Sequence, residues 1–172
     1  EFAFLNASWQ GKNSLTSIKL PATLNSISKF AFEECGLTSI EIPSLVTSIG
    51  SSAFGWCSNL NTVIIPSSVT AIWDAAFKGC QGLSTISIPS SVTFIDAEAF
   101  NQILGLINVD PENANYSSVD GILFNKTQTS LMQCPMSKTG NYIIPSTVVS
   151  IEQSAFNSCQ LTSVEIPSSV QS

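Results

Sequence analysis

Residues 37–57 read LTSIEIPSLVTSIGSSAFGWC, and the same order of residue types recurs along most of the chain. The unit runs apolar-x-x-apolar-x-apolar-Pro, then x-x-Val-x-x-Ile, then x-x-x-Ala-Phe-x-x-Cys. In the quoted copy its fixed positions are Leu37, Ile40, Ile42, Pro43, Val46, Ile49, Ala53, Phe54 and Cys57. The copy before it uses Leu15, Ile18, Leu20, Pro21, Leu24, Ile27, Ala31, Phe32 and Cys35. Leu60 to Cys80 and Leu83 to Ile103 follow the same order. Phe32, Phe54, Phe77 and Phe100 are spaced by 22, 23 and 23 residues, so one coil takes 22 or 23 residues. A fixed period in that range is the signature of a repeat array, whose units bury their apolar faces only by stacking.

Within the unit, the alternation at Ile18/Leu20, Ile40/Ile42, Val63/Ile65 and Ile86/Ile88 has the period of a strand. The proline that follows cannot donate to a sheet ladder, so it ends the strand and turns the chain. One parallel strand per coil is expected from this. The segment Asp74 to Cys80, with its N-cap-like start and Gly79 near its end, predicts a single helical turn. The expected class is therefore an α/β solenoid of about seven coils, with a parallel β-sheet, short helical turns and an elongated core of Phe, Ile and Val ladders.

Composition removes several functions. The 172 residues are 44% hydrophobic and 10% charged, which suits a packed core rather than disorder. There is no arginine, and six scattered lysines face twelve carboxylates for a net charge of -6, a poor match to nucleic acid. With no histidine, a Ser-His-Asp or Cys-His catalytic arrangement and a His-ligated zinc are excluded from this chain alone. No apolar run reaches the length of a membrane span.

The repeated Leu-x-x-Ile-x-Ile-Pro-x-x-Val-x-x-Ile-x-x-x-Ala-Phe-x-x-Cys pattern resembles the BspA-type leucine-rich repeat family over nearly the whole chain. The stretch from Val119 through Asp120-Gly121 to Lys126, followed by Ser130 to Pro135, resembles a hairpin insertion of that family. The resemblance implies a right-handed leucine-rich-repeat superhelix on a cell surface or in a secreted protein. It also implies adhesion, with an extracellular partner such as a host matrix protein. Thirty-four residues separate Pro111 from Pro145, so 112–141 reads as an inserted module between regular repeats at 15–111 and 142–172. Residues 1–14, with Ala3-Phe4, read as the end of a preceding coil and the last coil stops midway, so the chain reads as a piece of a longer protein in one repeat domain.

The candidate chemistry is thin. Cys35, Cys57, Cys80 and Cys159 share one repeat position that Ile103 fills in the fourth coil, which fits buried packing thiols better than a ligand set. No Cys-x-x-Cys pair is present, and neither metal nor cofactor is expected. Glu33/Glu34, Asp96/Glu98 and Asp110/Glu112 are carboxylate pairs with nothing converging on them, so an enzyme is not expected. Asp110 to Asn115 with Asp120 reads as a solvated turn, since it lacks calcium-loop spacing. Asn6, Asn115 and Asn125 head glycosylation sequons that matter only in a eukaryotic secretory route. Trp56 and Trp73 read equally well as contact anchors and as a packed edge.

The outward strand positions are the informative ones. One column is expected to be Ser17, Ser39, Thr62, Thr85, Asn108, Asn141 and Ser163, whose hydroxyls and amides suit hydrogen-bonded ladders across strands. The next is expected to be Lys19, Glu41, Ile64, Ser87, Asp110, Ile143 and Glu165, which vary in size and charge. Variation at outward positions of a fixed scaffold is how repeat proteins set specificity. This second column, with the hairpin of 112–141 projecting nearby, is the expected protein-binding face. The alternatives are a rigid spacer without a ligand and a non-catalytic appendage of a secreted enzyme. Val164, Ile166 and Val170 of the open last coil are expected to be exposed and to favour self-association.

Overall fold

The computed structural model describes residues 14–172, which form fourteen short strands and no helix. In chain order these are β1 (Ser26–Ile27), β2 (Ser39–Glu41), β3 (Ser48–Ile49), β4 (Thr62–Ile64), β5 (Ala71–Ile72), β6 (Thr85–Ile88) and β7 (Phe94–Ile95). They continue as β8 (Leu106–Val109), β9 (Tyr116–Val119), β10 (Ile122–Asn125), β11 (Ser130–Gln133), β12 (Thr139–Ile143), β13 (Ser150–Ile151) and β14 (Gln160–Glu165). The coils stack as a parallel-strand solenoid of about six turns rather than seven. The reading of Ala3-Phe4 as the tail of an earlier coil, and the sequon at Asn6, lie outside the described residues.

The second, third and fourth coils each carry two strands where one was expected. The apolar-x-apolar-Pro piece gives β2, β4, β6 and β8, with β2 parallel to β4 and β6 parallel to β8. The Val-x-x-Ile piece gives a second parallel sheet in the order β1-β3-β5-β7, in which Ile27, Ile49, Ile72 and Ile95 point inward in register. Two residues per strand is too short for alternation to be read from sequence. The piece around Ile18 and Leu20 makes no strand; Thr38 N–H donates to Thr16 O at 3.2 Å there.

The Ala-Phe-x-x-Cys segments are not helical turns. In the second coil Ser52 and Trp56 take the left-handed region, at φ 51° and 60°, which interrupts a right-handed helix every fourth residue. Alternate amides then divide their work. Ala53, Gly55 and Cys57 donate three residues back within the coil, at 3.0–3.2 Å, to Gly50, Ser52 and Phe54. Ser52, Phe54 and Trp56 donate to Asp74, Ala76 and Lys78 of the next coil at 2.6–2.8 Å. The inter-coil bonds stabilise the stack directly and offset the cost of the left-handed residues.

Inside the stack Phe32, Phe54, Phe77 and Phe100 form a column with centroids 5.4, 5.3 and 5.8 Å apart and nearly parallel rings. Cys57 and Cys80 point their thiols at the carbonyls of Phe32 and Phe54, at 2.9 and 3.0 Å. Hydroxyl ladders tie the coils at the turn after the proline, where Ser68, Ser91 and Ser169 donate to Val46, Val69 and Val148 O at 2.7–2.8 Å.

The module at 112–141 does not project. β9, β10 and β11 form an antiparallel meander, opened by a turn in which Asp120 and Gly121 have φ of 51° and 78°. β11 then pairs in parallel with β13, so the meander takes the place of a coil. Its two faces serve two cores: Leu123 and Met132 pack with the coils before it, while Ile122, Phe124, Leu131 and Cys134 pack with those after it. The expected projecting hairpin is thus a buried partition, because an alternation that is apolar on both faces has to be covered on both.

Candidate functional site

The first strands pair as the two-stranded sheets β2-β4, β6-β8 and β12-β14, and the outward face of this first-strand series is built by the alternation itself: at β2 and β4 Ile40 and Val63 point in, leaving Ser39, Glu41, Thr62 and Ile64 outside. The register places Ser39 against Thr62 and Glu41 against Ile64, as expected from the repeats. At the next pair the columns shift. Thr85 lies opposite Leu106 and Ser87 opposite Asn108, so Asn108 belongs to the variable column and Asp110 falls beyond the end of β8. The cause is one extra residue: Ile42, Ile65 and Ile88 are followed directly by proline, whereas Asp110 stands between Val109 and Pro111. Asp110 is half-buried and its carboxylate accepts the Glu112 N–H at 2.9 Å. Leu106, 42% exposed, takes the place expected for Asn108 in the first column and was missed in the sequence because the proline was used as the register mark.

The face has two blocks. Glu41, Ile64, Ser87 and Asn108 lie on one side of the meander, and Ile143 opposite Glu165 on the other. Lys19 is exposed in the first coil. Ile64 and Ile143 are 65% and 64% exposed, while their inward neighbours Val63 and Ile144 are 8% and 1%. Beside Ser87 and Asn108 an open hollow of about 360 Å³ has an apolar floor of Ile65, Ile88, Pro89 and Val109, with Asp110 at its rim. Side-chain ladders run across these sheets: Asn108 donates to Thr85 Oγ at 2.9 Å, Ser163 to Asn141 Oδ1 at 2.7 Å and Asn141 to Glu165 Oε1 at 3.2 Å.

The polar groups elsewhere are committed to structure. Asn113, in the stretch expected to be a solvated turn, is fully buried and makes four hydrogen bonds. It donates to Pro89 O and Val92 O and accepts from the amides of Asn115 and Tyr116, at 2.8–3.0 Å. Of the carboxylate pairs, Glu98 meets Lys78 Nζ at 2.6 Å and also accepts from Ser154 Oγ and Gln153 Nε2, which joins the fourth coil to the last turn segment across the module. The Lys78 hydrogen bond holds its carboxyl below the ordinary value of 4.5. Burial, and then the neighbouring Glu34, push the Glu33 carboxyl up. Burial pushes the thiols of Cys57 and Cys134 to about 12, so neither is a poised nucleophile. Among the described residues no three His, Cys, Asp or Glu groups lie close enough to hold a metal ion. Asn125 uses its carboxamide to bind Thr129 and Ser130, which a glycan would disrupt.

A family model described as the BspA-type leucine-rich repeat region matches residues 4–130 and 128–172, in six copies. The chain belongs to the BspA-type leucine-rich repeat family. A search of curated proteins returned no match. Among solved structures, the pneumococcal vaccine antigen PcpA superposes with a TM-score of 0.81 at 28% identity, over 86% of this chain and 38% of that one. A leucine-rich cell surface protein from Faecalibacterium prausnitzii gives 0.74 at 31%, over 86% and 46%, and a leucine-rich repeat protein from Eubacterium ventriosum gives 0.68 at 28%, over 85% and 46%. The chain therefore spans less than half the length of these relatives. By their descriptions these relatives are a vaccine antigen, a leucine-rich cell surface protein and a leucine-rich repeat protein. Among the described residues no helix is long and apolar enough to cross a membrane.

Proposed function

We infer that this chain is a non-enzymatic protein-binding module of a cell-surface or secreted protein, and that it contacts an extracellular protein, of the host-matrix kind, through the outward face of its first-strand series. The observation that carries the reading is the exposure of Ile64 and Ile143, at 65% and 64%, on a face whose other outward positions are polar apart from Leu106. An aliphatic side chain held in water at the centre of a largely polar face gains most from being covered by a partner. Lys19, Glu41, Ser87 and Glu165 supply a polar surround, and Asp110 edges the adjacent hollow. Surface location is supported by similarity to a vaccine antigen and to a cell surface protein. Adhesion is the finer form of the same reading.

The test is binding of the purified chain to a panel of extracellular-matrix and plasma proteins over a range of salt. Saturable binding lost when Glu41, Ile64, Asp110 and Ile143 are all replaced by alanine supports the face; binding that the fourfold variant leaves unchanged refutes it. A second reading, a rigid spacer, is favoured by the threonine ladder in which Thr47, Thr70 and Thr93 donate to Asn25, Thr47 and Thr70 O at 3.2–3.3 Å. No saturable binding across the panel selects the spacer. Of the last-coil residues expected to be exposed, Ile166 is 63% exposed, whereas Val164 and Val170 are partly buried.

A further inference from the structure

The second-strand sheet carries an aromatic pair that the strand-face reading does not use. Phe94 in β7 and Trp73 just after β5 are 41% and 45% exposed, with ring centroids 4.9 Å apart and planes inclined at 49°. The register explains why the rings stand clear. Phe94 lies opposite Ala71, and the residue before Trp73 in its column is Gly50, so the neighbouring coil offers only small side chains on that flank. The rings are in contact at an incline, and each keeps more than two fifths of its residue surface in water.

Two carboxylate residues neighbour this pair in register and in sequence. Asp96 follows Ile95, which pairs with Ile72, so it occupies the column of Trp73 on the next coil; Asp74 directly follows Trp73. Neither has an ion-pair partner among the described residues, because the ammonium in this region, Lys78, is held by Glu98 at 2.6 Å. Burial, and then the charges of Asp96 and Glu98, raise the Asp74 carboxyl above its ordinary value, while Lys78 lowers it. Two carboxylates without a direct ion pair of their own, only partly offset by Lys78, therefore neighbour two part-exposed aromatic rings.

We propose that Trp73 and Phe94, with Asp74 and Asp96, form a docking site for an arginine side chain of a partner protein, the guanidinium stacking on the rings and donating to the carboxylates. A planar, weakly hydrated guanidinium with five donors can do both at once, whereas an ammonium is a compact and strongly hydrated charge. An apolar occupant would desolvate two carboxylates without pairing them, and an acidic one would be repelled. The occupant is not a second copy of this chain, which contains no arginine. A net charge of -6 draws cationic segments toward it.

The probe is the blocked peptide Gly-Arg-Gly-Arg-Gly, titrated into the whole chain while the Trp73 indole N–H and the Phe94 ring are followed by NMR. Saturable shifts confined to these rings are expected, weakened at least about tenfold when Asp74 and Asp96 are both replaced by asparagine. The same peptide with citrulline, a neutral isostere of arginine, should leave the rings unmoved, and Trp73→Ala should abolish the shifts of Phe94. The double asparagine variant keeps both rings, so it tests the charges even where Trp73→Ala unfolds. The fourfold strand-face variant should bind the peptide undiminished, which separates this site from that face. No movement of Trp73 at any peptide concentration, equal shifts from the citrulline or a neutral sugar probe, or full binding by the asparagine variant would overturn the assignment.

Discussion

Replacing Phe77 by alanine tests whether the stacked phenylalanines hold the coils together. Phe77 is completely buried, with Phe54 at 5.3 Å on one side and Phe100 at 5.8 Å on the other, the planes within 12° and 7°. Truncating a buried phenylalanine costs about 3–5 kcal/mol, and this ring has two stacking partners whose pair terms are about 0.5–1.5 kcal/mol each, so the upper part of the range, about 4–5 kcal/mol, is expected. Phe156 is the internal comparison: it is only half-buried, and its ring neighbour Tyr142 is 6.5 Å away at 54°. Removing its ring should cost about 1–2 kcal/mol, in line with partial burial. In urea, with a slope of about 2 kcal/mol per molar, Phe77→Ala should lower the midpoint by about 2 M and Phe156→Ala by less than about 1 M. Because a stack of coils can open piecewise, the transition is followed by both far-UV circular dichroism and tryptophan fluorescence. A double-mutant cycle sharpens the test: Phe54 and Phe77 should couple by about 0.5–1.5 kcal/mol, while Phe54 and Phe100, separated by a coil, should be additive within about 0.5 kcal/mol. If Phe77→Ala costs no more than Phe156→Ala, or if Phe54 and Phe100 couple as strongly as the neighbours do, the column is not a load path and the inter-coil amide bonds carry the stack.

Asn113→Ala should lower stability by about 3 kcal/mol, since it takes their partner from the Val92 carbonyl and from the amides of Asn115 and Tyr116, while Pro89 O keeps the Val92 N–H, and thermal melts should show a drop of several degrees. Glu98 has a folded-state value below its ordinary 4.5, so its stabilising contribution is present above that value and is lost as pH falls through the lowered one. Urea midpoints at about pH 6 and about pH 3 should therefore differ less in Glu98→Gln than in the unmodified chain, and an identical difference would show that the Lys78 pair is silent; Glu33 and Asp74, whose values are raised, act in the opposite sense. A thiol-specific disulfide reagent should label the part-exposed Cys159 first and reach Cys57, Cys80 and Cys134 only on unfolding, because burial raises all three thiols; fast native labelling of Cys57 would contradict the packing described.

The repeat made the stacking legible, since Phe54, Phe77 and Ile49 recur at one period and can be buried only by a neighbouring coil. Three things were not legible, each for a physical reason. The turn Ser52–Cys57 looks helical residue by residue, but its amides find carbonyls on the adjacent coil, a partner invisible in a single unit. The shift at β8 came from Asp110, one residue that leaves inward Ile107 and Val109 in place while moving the mark set by Pro111. The meander's burial did leave a signal: Ile122-Leu123-Phe124 and Leu131-Met132 are unbroken apolar runs, the pattern of strands covered on both faces, whereas a projecting hairpin would alternate with polar residues. The spacing paired Glu41 with Ile64 and Ile143 with Glu165 as the strand register does, whereas the Trp73 and Phe94 pair was not legible, because it arises only when two neighbouring coils bring the residue after Ile72 beside the residue before Ile95.

Where recognition can reside follows from what the other residues are already doing. Inward positions are fixed by the core, and many hydroxyls at Ser68, Ser91, Thr70 and Thr93 are spent on the carbonyls of the preceding coil. Outward positions that do neither are the ones at which a substitution leaves the stack intact: Glu41, Ile64 and Ser87 in the first-strand series, Trp73, Phe94 and Asp96 along the second-strand sheet. The meander then fixes how the blocks on its two sides are presented. Leu123 and Met132 are anchored in one core, Phe124 and Leu131 in the other, and Glu98 reaches past them to Ser154. A partner that spans Ile64 and Ile143 therefore meets two apolar contacts held by one partition, so loosening the partition should weaken such binding without touching either contact. Phe124→Ala, buried and remote from both faces, is the variant that separates this from direct contact: a stable variant with reduced binding would place the partition in the recognition path, and unchanged binding would confine recognition to a single block.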